Sequence, residues 1–286
     1  MSDAAFSNIT DASYANAANS ITPETYGRTI RSLGRYDFPD PMSVDPDGIG
    51  LVAMGGDLAP ETIISAYAQG LFPWFNEDDP IAWWCPDPRC IIAPISYKPS
   101  KSLRKQAKNS RWQLTLNQAF DAVIRSCSLP RCEHHHDDST ENAHTWIHDE
   151  MIKAYTELHR YGFAHSIEVW DEESQLIGGL YGLKIGSIYF GESMFHTASN
   201  ASKLAFWGLM RLCEQSNVEL VDCQLPNDHL MSLGATTLAR PEFLTQLETL
   251  ISSRSVRWQA NSHRSLAVSG LATTMPWQLA PSIGQL

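Results

Sequence analysis

The stretch SIYFGESMFHTASNASKLAFWGLMRLCEQSNVELVDCQLPNDHLMSLGA, residues 187–235, decides the fold of this chain. Its apolar runs SIYF at 187–190 and VELV at 218–221 have the length and β-branched content of buried strands. Between them Leu204, Phe206, Trp207, Leu209, Met210 and Cys213 leave little polar face. Lys203 to Glu214 therefore reads as a buried helix, capped by Asn200 or Ser202. Strand, helix and strand make a compact βαβ-like unit. Each strand passes directly into acidic or amide residues, Glu192 after the first and Asp222, Gln224 and Asn227 after the second. Such groups at the carboxyl ends of strands stand where open α/β sheets place ligands. Period-two alternation puts Asp222 and Gln224 on one face and Cys223 on the other, as a packing thiol rather than a nucleophile. Asp222 and Asn227 also fit as caps of a helix near His229 and Leu230, so two readings stay open for each.

At 286 residues, 43% hydrophobic and 10% aromatic, the chain can bury a sizeable core in one large domain or two small ones. It has no run of about 18 apolar residues, so no transmembrane helix is expected. The first 25 residues are polar, contain acids and lack a basic n-region, which reads as a tail rather than a secretory signal. Six cysteines are few for this length, and a cytoplasmic location would keep them reduced. The net charge of −11 opposes a polyanionic partner, but its distribution does not. Between Arg89 and Arg111 lie Arg89, Lys98, Lys101, Arg104, Lys105, Lys108 and Arg111, with no acid. A basic patch on an acidic body steers a polyanion to one place; the plainer alternative is a solvated helix face.

Composition divides the chain into a flexible extension at 1–35, a small domain at 36–116, a catalytic domain at 117–255 and a tail at 256–286. MGGDLAPETIISAYAQGLFPWF at 54–75 reads as a turn at Gly55-Gly56, then a short helix closing at Gly70. Trp74, Trp83 and Trp84 follow as either core or a base-stacking pocket. In the second block a helix is expected around Leu116 to Cys127 and another over 149–162, followed by strands AHSIEVWD and QLIGGLYGLK. The succession is α+β. His134, His135 and His136 lie near Cys127 and Cys132, but consecutive histidines cannot all face one metal and no C-x-x-C pair is present. A solvated loop is expected there. Nucleotide-binding glycine loops and the G-x-S-x-G elbow are absent.

The segments MGGDLAPETIISAYAQGLFPW, WWCPDPR, KSLRK, TWIHDEMIKAYTELHRYGFAHSIEVW, IGGLYG, YFGESMFHTASNASK and DCQLPNDHLMSLGA run in order across most of Phe38 to about Leu250. Together they closely resemble the leucyl/phenylalanyl-tRNA-protein transferase family of the bacterial N-degron pathway. The resemblance implies a small N-terminal α/β domain joined to a C-terminal GNAT-like acyltransferase domain. It implies transfer of Leu, Phe or, less readily, Met from the 3′ end of aminoacyl-tRNA to the α-amine of proteins beginning with Arg or Lys, marking them for degradation. It implies no metal, no cofactor and no membrane partner, and the chain is expected to be a monomer. The family's proposed catalytic pair falls on Asp222 and Gln224, with Glu192 beside them. We assign Asp222 to orient or deprotonate the amine, Gln224 to hold the amine or the ester carbonyl, and Glu192 to bind cationic groups of the acceptor. An aminoacyl ester is already activated, so a placed, neutral amine suffices.

On the donor side, Trp83, Trp84, Trp146 and Tyr155 are candidates to stack the terminal adenosine. Met194 and Phe195, with Tyr189 and Ile188, are candidates for a pocket that excludes Val and Ile by shape. Asn227 is either an acceptor contact or a cap. Lys101, Arg104, Lys105, Lys108 and Arg111 would take acceptor-stem phosphates. The chain departs from the family pattern in its N-terminal extension, in Cys85 where Ser is more common, and in a longer loop at 131–144. An acetyl-CoA-dependent N-acetyltransferase would want a Gln/Arg-x-x-Gly-x-Gly/Ala loop, which is missing. A tRNA-dependent ligase of peptide bridges shares fold and donor class but matches the motifs less well. A non-enzymatic tRNA-binding module would not need Asp222 and Gln224.

Overall fold

A computed structural model describes residues 30–129, 146–253, 258, 264–267, 271 and 278–279. The loop at 131–144 with its three histidines, most of the expected extension and most of the expected tail lie outside the described residues. In chain order the helices are α1 (Pro41–Val44), α2 (Pro60–Ala68), α3 (Lys101–Asn109), α4 (Phe120–Ser128), α5 (Asp149–Arg160), α6 (Ala201–Gln215), α7 (Asp228–Ser232) and α8 (Arg240–Ser252). The strands are β1 (Leu51–Met54), β2 (Phe72–Pro73), β3 (Ala82–Trp84), β4 (Arg89–Ile92), β5 (Gln113–Leu116), β6 (Ala164–Trp170), β7 (Leu176–Ile185), β8 (Ile188–His196), β9 (Leu220–Gln224), β10 (Thr236–Leu238), β11 (Arg264–Ala267) and β12 (Gln278–Leu279). The mixed helix-and-sheet class expected from the sequence holds.

A three-stranded sheet, β1-β3-β2, stays within the N-terminal block, while nine strands form one sheet in the order β10-β4-β9-β8-β7-β6-β5-β11-β12. All its pairs are antiparallel except β8 with β9, which α6 joins as a crossover. β4 and β5 fall inside the block expected to be a separate domain at 36–116, yet both pair within this large sheet. The chain therefore does not divide at 116: alternating apolar residues such as Leu114 and Leu116 need a sheet face to bury them, and β6 supplies it. Residue 116 also ends β5, and the helix expected from Leu116 begins only at Phe120, after a left-handed turn at Asn117 (φ 61°).

β6 and β7 are buried along nearly their whole length because both sheet faces are covered. One face carries α2, α4, α5 and α8 over Tyr181, Leu183, Ile188 and Phe190. The opposite face carries α3 and α6 over Leu180, Tyr189, Val221 and Cys223. α6 spans Ala201 to Gln215 as its apolar pattern predicts, but neither expected cap is used. Asn200 holds a left-handed backbone (φ 65°) and gives its amide to Gln106 Oε1 at 2.8 Å, while the Ser202 hydroxyl faces His196.

The N-terminal block is fastened to α8 by a buried ion pair. Arg240, 1% exposed, meets Asp45 Oδ2 at 2.6 Å, donates to Cys85 O at 3.0 Å and also contacts the Asp45 carbonyl. Removing one partner of such a pair strands the other charge without water. Arg240→Ala is expected to cost about 3–5 kcal/mol of stability, measured by chemical denaturation.

Candidate active site

Between Tyr181–Gly182 of β7 and Gly191–Ser193 of β8 the register slips by one residue, and the unmatched residue is Glu192. A β-bulge re-aims the inserted side chain. Here Glu192 turns toward the face shared by Phe190, where α2 and α5 pack, rather than standing beyond a strand end as the sequence suggests. Tyr67 of α2 donates to Glu192 Oε1 at 2.7 Å and Tyr155 of α5 to Oε2 at 3.2 Å, while the two hydroxyl oxygens lie 2.6 Å apart. The Gln224 amide reaches Oε1 at 3.5 Å, the outer limit of a hydrogen bond.

Three oxygen–oxygen contacts among these groups need three protons, and two phenols supply only two. Protonating the carboxyl supplies the third, with the Glu192 hydroxyl donating to one phenol and that phenol donating in turn to the other. Burial likewise pushes the Glu192 pKa up to about 8, against the lowering effect of the two hydroxyl donors, and the Asp222 charge adds to the rise. Burial and then Glu192 hold the Tyr67 and Tyr155 phenols well above their usual range, so both stay protonated. Both arguments leave Glu192 largely protonated near pH 7.

Asp222 is fully buried and both its oxygens are taken. Arg89 of β4 donates Nε to Oδ1 at 2.8 Å and Nη2 to Oδ2 at 2.7 Å, and Oδ1 also accepts the Gln224 backbone N–H at 2.9 Å. An incoming amine cannot reach this carboxylate. Of the two roles expected for Asp222, deprotonation loses its geometry and orientation keeps it. Gln224 is left-handed (φ 57°), a conformation that costs a non-glycine residue about 1 kcal/mol. Strict alternation therefore breaks at Gln224, and its side chain shares space with Glu192 rather than simply a strand face with Asp222. Cys223 packs in the opposite core, as alternation predicts.

β8 and β9 pair only as far as Phe190 opposite Asp222. Past that point β8 continues with β7 and a gap opens in the β8–β9 ladder, where a Cβ on Gly191 would stand in ordinary contact with Asp222 O at 3.7 Å. Met194, paired with Leu180, stands half-buried against one core, and Phe195 against the other. Tyr189 and Ile188, the other two pocket candidates, are wholly buried and excluded from contact with a substrate.

Among the expected stacking residues, Trp83 is 1% exposed, donates to Gly55 O and packs edge-on to Phe38, so it is core. Tyr155 is also fully buried and acts as a hydrogen-bond donor instead of a platform. Trp84 and Trp146 are half-buried, and Trp84 donates to the Trp74 carbonyl at 2.7 Å. Trp74, read from the sequence with Trp83 and Trp84 as core or a stacking pocket, is 43% exposed and lies 5.8 Å from Trp84. Asn227 caps α7, accepting the Leu230 N–H at 2.9 Å, which decides its role in favour of the cap.

On α3 the buried Leu103 and Ala107 leave Lys101, Arg104, Lys105 and Lys108 together on the opposite, exposed face. Gln106 ties this helix to the start of α6 through Ser199 O and Asn200. Arg111 lies beyond α3, in an exposed pair with Glu172 at 3.4 Å. Arg89 leaves the patch altogether. Both Arg89 and Tyr67 escaped the sequence reading, although a buried aspartate after VELV implied a cationic partner and Arg89 stood apart from the other bases.

A placed carboxyl and amide where β8 and β9 part suit the joining of an amine to an already activated carbonyl. The class they define is an acyltransferase. The family pattern described as leucyl/phenylalanyl-tRNA protein transferase matches residues 91–248, and that of its N-terminal domain matches 56–87. The chain is 72% identical over 274 residues to the leucyl/phenylalanyl-tRNA–protein transferase of Psychrobacter arcticus, covering 96% of this chain and 99% of that one. The corresponding protein of Psychrobacter cryohalolentis is 72% identical over 262 residues, covering 90% and 96%; that of Shewanella piezotolerans is 48% identical over 216, covering 76% and 88%. The chain belongs to the leucyl/phenylalanyl-tRNA–protein transferase family.

Glu192 also makes stability depend on pH. Unfolded, its carboxyl titrates near its ordinary 4.5, so between about 4.5 and 8 the folded state keeps a proton that the unfolded state has released. Stability therefore falls as pH rises through that window. Glu192→Gln is expected to flatten this fall relative to wild type, measured by denaturation at several pH values.

Proposed function

We propose that this chain moves Leu, Phe or, less readily, Met from the 3′ end of aminoacyl-tRNA to the α-amine of proteins beginning with Arg or Lys, marking them for degradation. It does so in the cytoplasm, as a monomer and without a metal or cofactor. As a family member it is an aminoacyltransferase, and Glu192 is the observation that carries the mechanism. Its ionisation near 8 matches that of a protein α-amine, about 8, which is the condition for efficient proton transfer between them.

The acceptor nitrogen attacks the ester carbonyl, the ester bond to the tRNA ribose breaks, and a new amide bond forms. Glu192 takes the proton that the nitrogen loses and returns it to the departing ribose oxygen. The Gln224 amide, beside Glu192, holds the amine or the carbonyl in place. A cationic Arg or Lys side chain brought near Glu192 favours its ionised form. The acceptor's own charge thus helps to create the base that it needs.

Trp84 and Trp146, joined by the exposed Trp74, support stacking of the terminal adenosine. Phe195, on the side of the sheet that Glu192 faces, takes the aminoacyl side chain, and Met194 packs on the opposite side. The α3 stripe of Lys101, Arg104, Lys105 and Lys108 receives acceptor-stem phosphates, with Arg111 at its margin.

Transfer of labelled Leu or Phe onto Arg-starting peptides tests the chemistry. Below pH 8 the log of kcat/KM is expected to climb more steeply with pH in wild type than in Glu192→Gln, which retains only the ionisation of the acceptor amine. Identical profiles would remove Glu192 as the base. For the stripe, replacing Lys101, Arg104 and Lys105 with Ala is expected to weaken tRNA binding. It should also flatten its dependence on log salt by about 0.9 for each phosphate that is no longer neutralised; an unchanged slope takes α3 off the tRNA path.

A further inference from the structure

Arg89 touches neither gap nor solvent, yet it meets every group that holds the acceptor side of the site in place. It is fully buried. Its guanidinium lies 5.0 Å from the Phe72 ring centroid and 4.6 Å from that of Phe243, and Nη1 donates to Gly70 O at 3.0 Å. Those three contacts fix it to the end of α2, to β2 and to α8. Its remaining donors form a fork on Asp222. A planar fork on a carboxylate sets the orientation of that carboxylate as well as its charge.

The orientation matters because Asp222 Oδ1 is also the acceptor for the Gln224 N–H two residues on. An aspartate bonded in this way to the residue two ahead closes a side-chain turn, and the residue so held tolerates the left-handed conformation that Gln224 adopts. The β4–β9 register slips here, with Cys90 opposite Gln224 and Ile91 opposite Asp222, so the strand ladder alone does not fix the backbone at 223–224. We infer that Arg89 is a positioning residue for transfer: through the Asp222 carboxylate it holds Gln224 in its left-handed turn and so keeps the Gln224 amide beside Glu192. Asp222 in this arrangement is a bracket, and the catalytic contact belongs to Gln224.

The inference rests on the transferase reading for its assay, and a wild-type chain that transfers nothing would defeat that reading rather than this one. Three variants test it, with kcat for peptide acceptance measured beside the Kd for aminoacyl-tRNA. Asp222→Asn keeps an oxygen for the Gln224 N–H but leaves the buried Arg89 charge unmet, so it is compared under conditions where denaturation shows it folded, and there it is expected to retain kcat within about tenfold. The double variant Arg89→Met with Asp222→Leu removes the ion pair without leaving an unpaired buried charge. It is expected to lose about a hundredfold in kcat, the scale of an ångström-level misplacement, with tRNA Kd unchanged.

Arg89→Lys keeps the charge and loses the fork. It is expected to lose about tenfold in kcat, again without change in tRNA Kd, and it stands in for the double variant should that fail to fold. Asp222→Asn as inactive as the double variant would make Asp222 a base and overturn the inference. So would a folded double variant, or an Arg89→Lys variant, with wild-type kcat. A merely structural role for Arg89 predicts that kcat and tRNA binding fall together with stability, which the split between the two readouts excludes.

Discussion

A carboxylate with no contact to water is tolerable only when its charge is met in full. Asp222 meets that condition through Arg89, and the requirement reaches far into the molecule. Arg89 sits on β4, Asp222 on β9, and the guanidinium is sandwiched by Phe72 and Phe243 and capped by the Gly70 carbonyl. One ion pair thus joins two sheet strands, the helix and short strand of the N-terminal block, and α8. The second buried pair, Arg240 with Asp45, repeats the arrangement at the first residue of α8. An N-terminal block with a small sheet of its own becomes a fixed wall of the site, and Tyr67, carried by that block, can reach Glu192 with a hydrogen bond of ordinary length.

Two carboxyl groups that the sequence presents as partners end in opposite conditions. Asp222 is locked against a guanidinium and has no free lone pair facing the gap. Glu192 touches only neutral donors, two phenols and an amide, and burial outweighs the lowering by those donors and by the Arg89 charge, so its proton is retained to about pH 8. The division follows from backbone geometry: β9 runs regularly into Asp222 and points it at β4, whereas the β8 bulge turns Glu192 toward the tyrosines. Pairs of titratable groups pushed apart by their surroundings divide acid–base work between them. Here one of the pair is withdrawn from proton chemistry altogether.

Much of this was legible in the sequence. The run from 187 to 235 carries its strand, buried helix and strand in its apolar spacing, and the helices over 60–68 and 149–160 show equally in theirs. Glu192, Asp222 and Gln224 were named as well, though Tyr67 and the role of Arg89 were not. Their relations were not, for identifiable reasons. Alternation assumes an unbroken ladder, and it fails past Glu192, where a residue is inserted and Phe195 rather than Met194 returns to the Phe190 face, and at Gln224, where the backbone turns left-handed. A long-range partner leaves no periodic trace, so Arg89, 133 positions from Asp222, was counted among surface bases. Trp83 beside Trp84 could not be sorted into core and rim without knowing which face of the small sheet is covered.

The acidic character of the chain and its use of a polyanion are reconciled by where the bases stand. Leu103 and Ala107 pin α3 against the core, and helical geometry then leaves Lys101, Arg104, Lys105 and Lys108 on one exposed stripe. Gln106 ties that helix to Ser199 and Asn200, just beyond the end of β8, the strand whose other neighbour has splayed away to open the gap. A phosphate backbone drawn to the stripe is therefore drawn to the end of the sheet where the gap lies. The acidic remainder repels it elsewhere, so charge patterning selects an orientation before any base or amino acid is recognised.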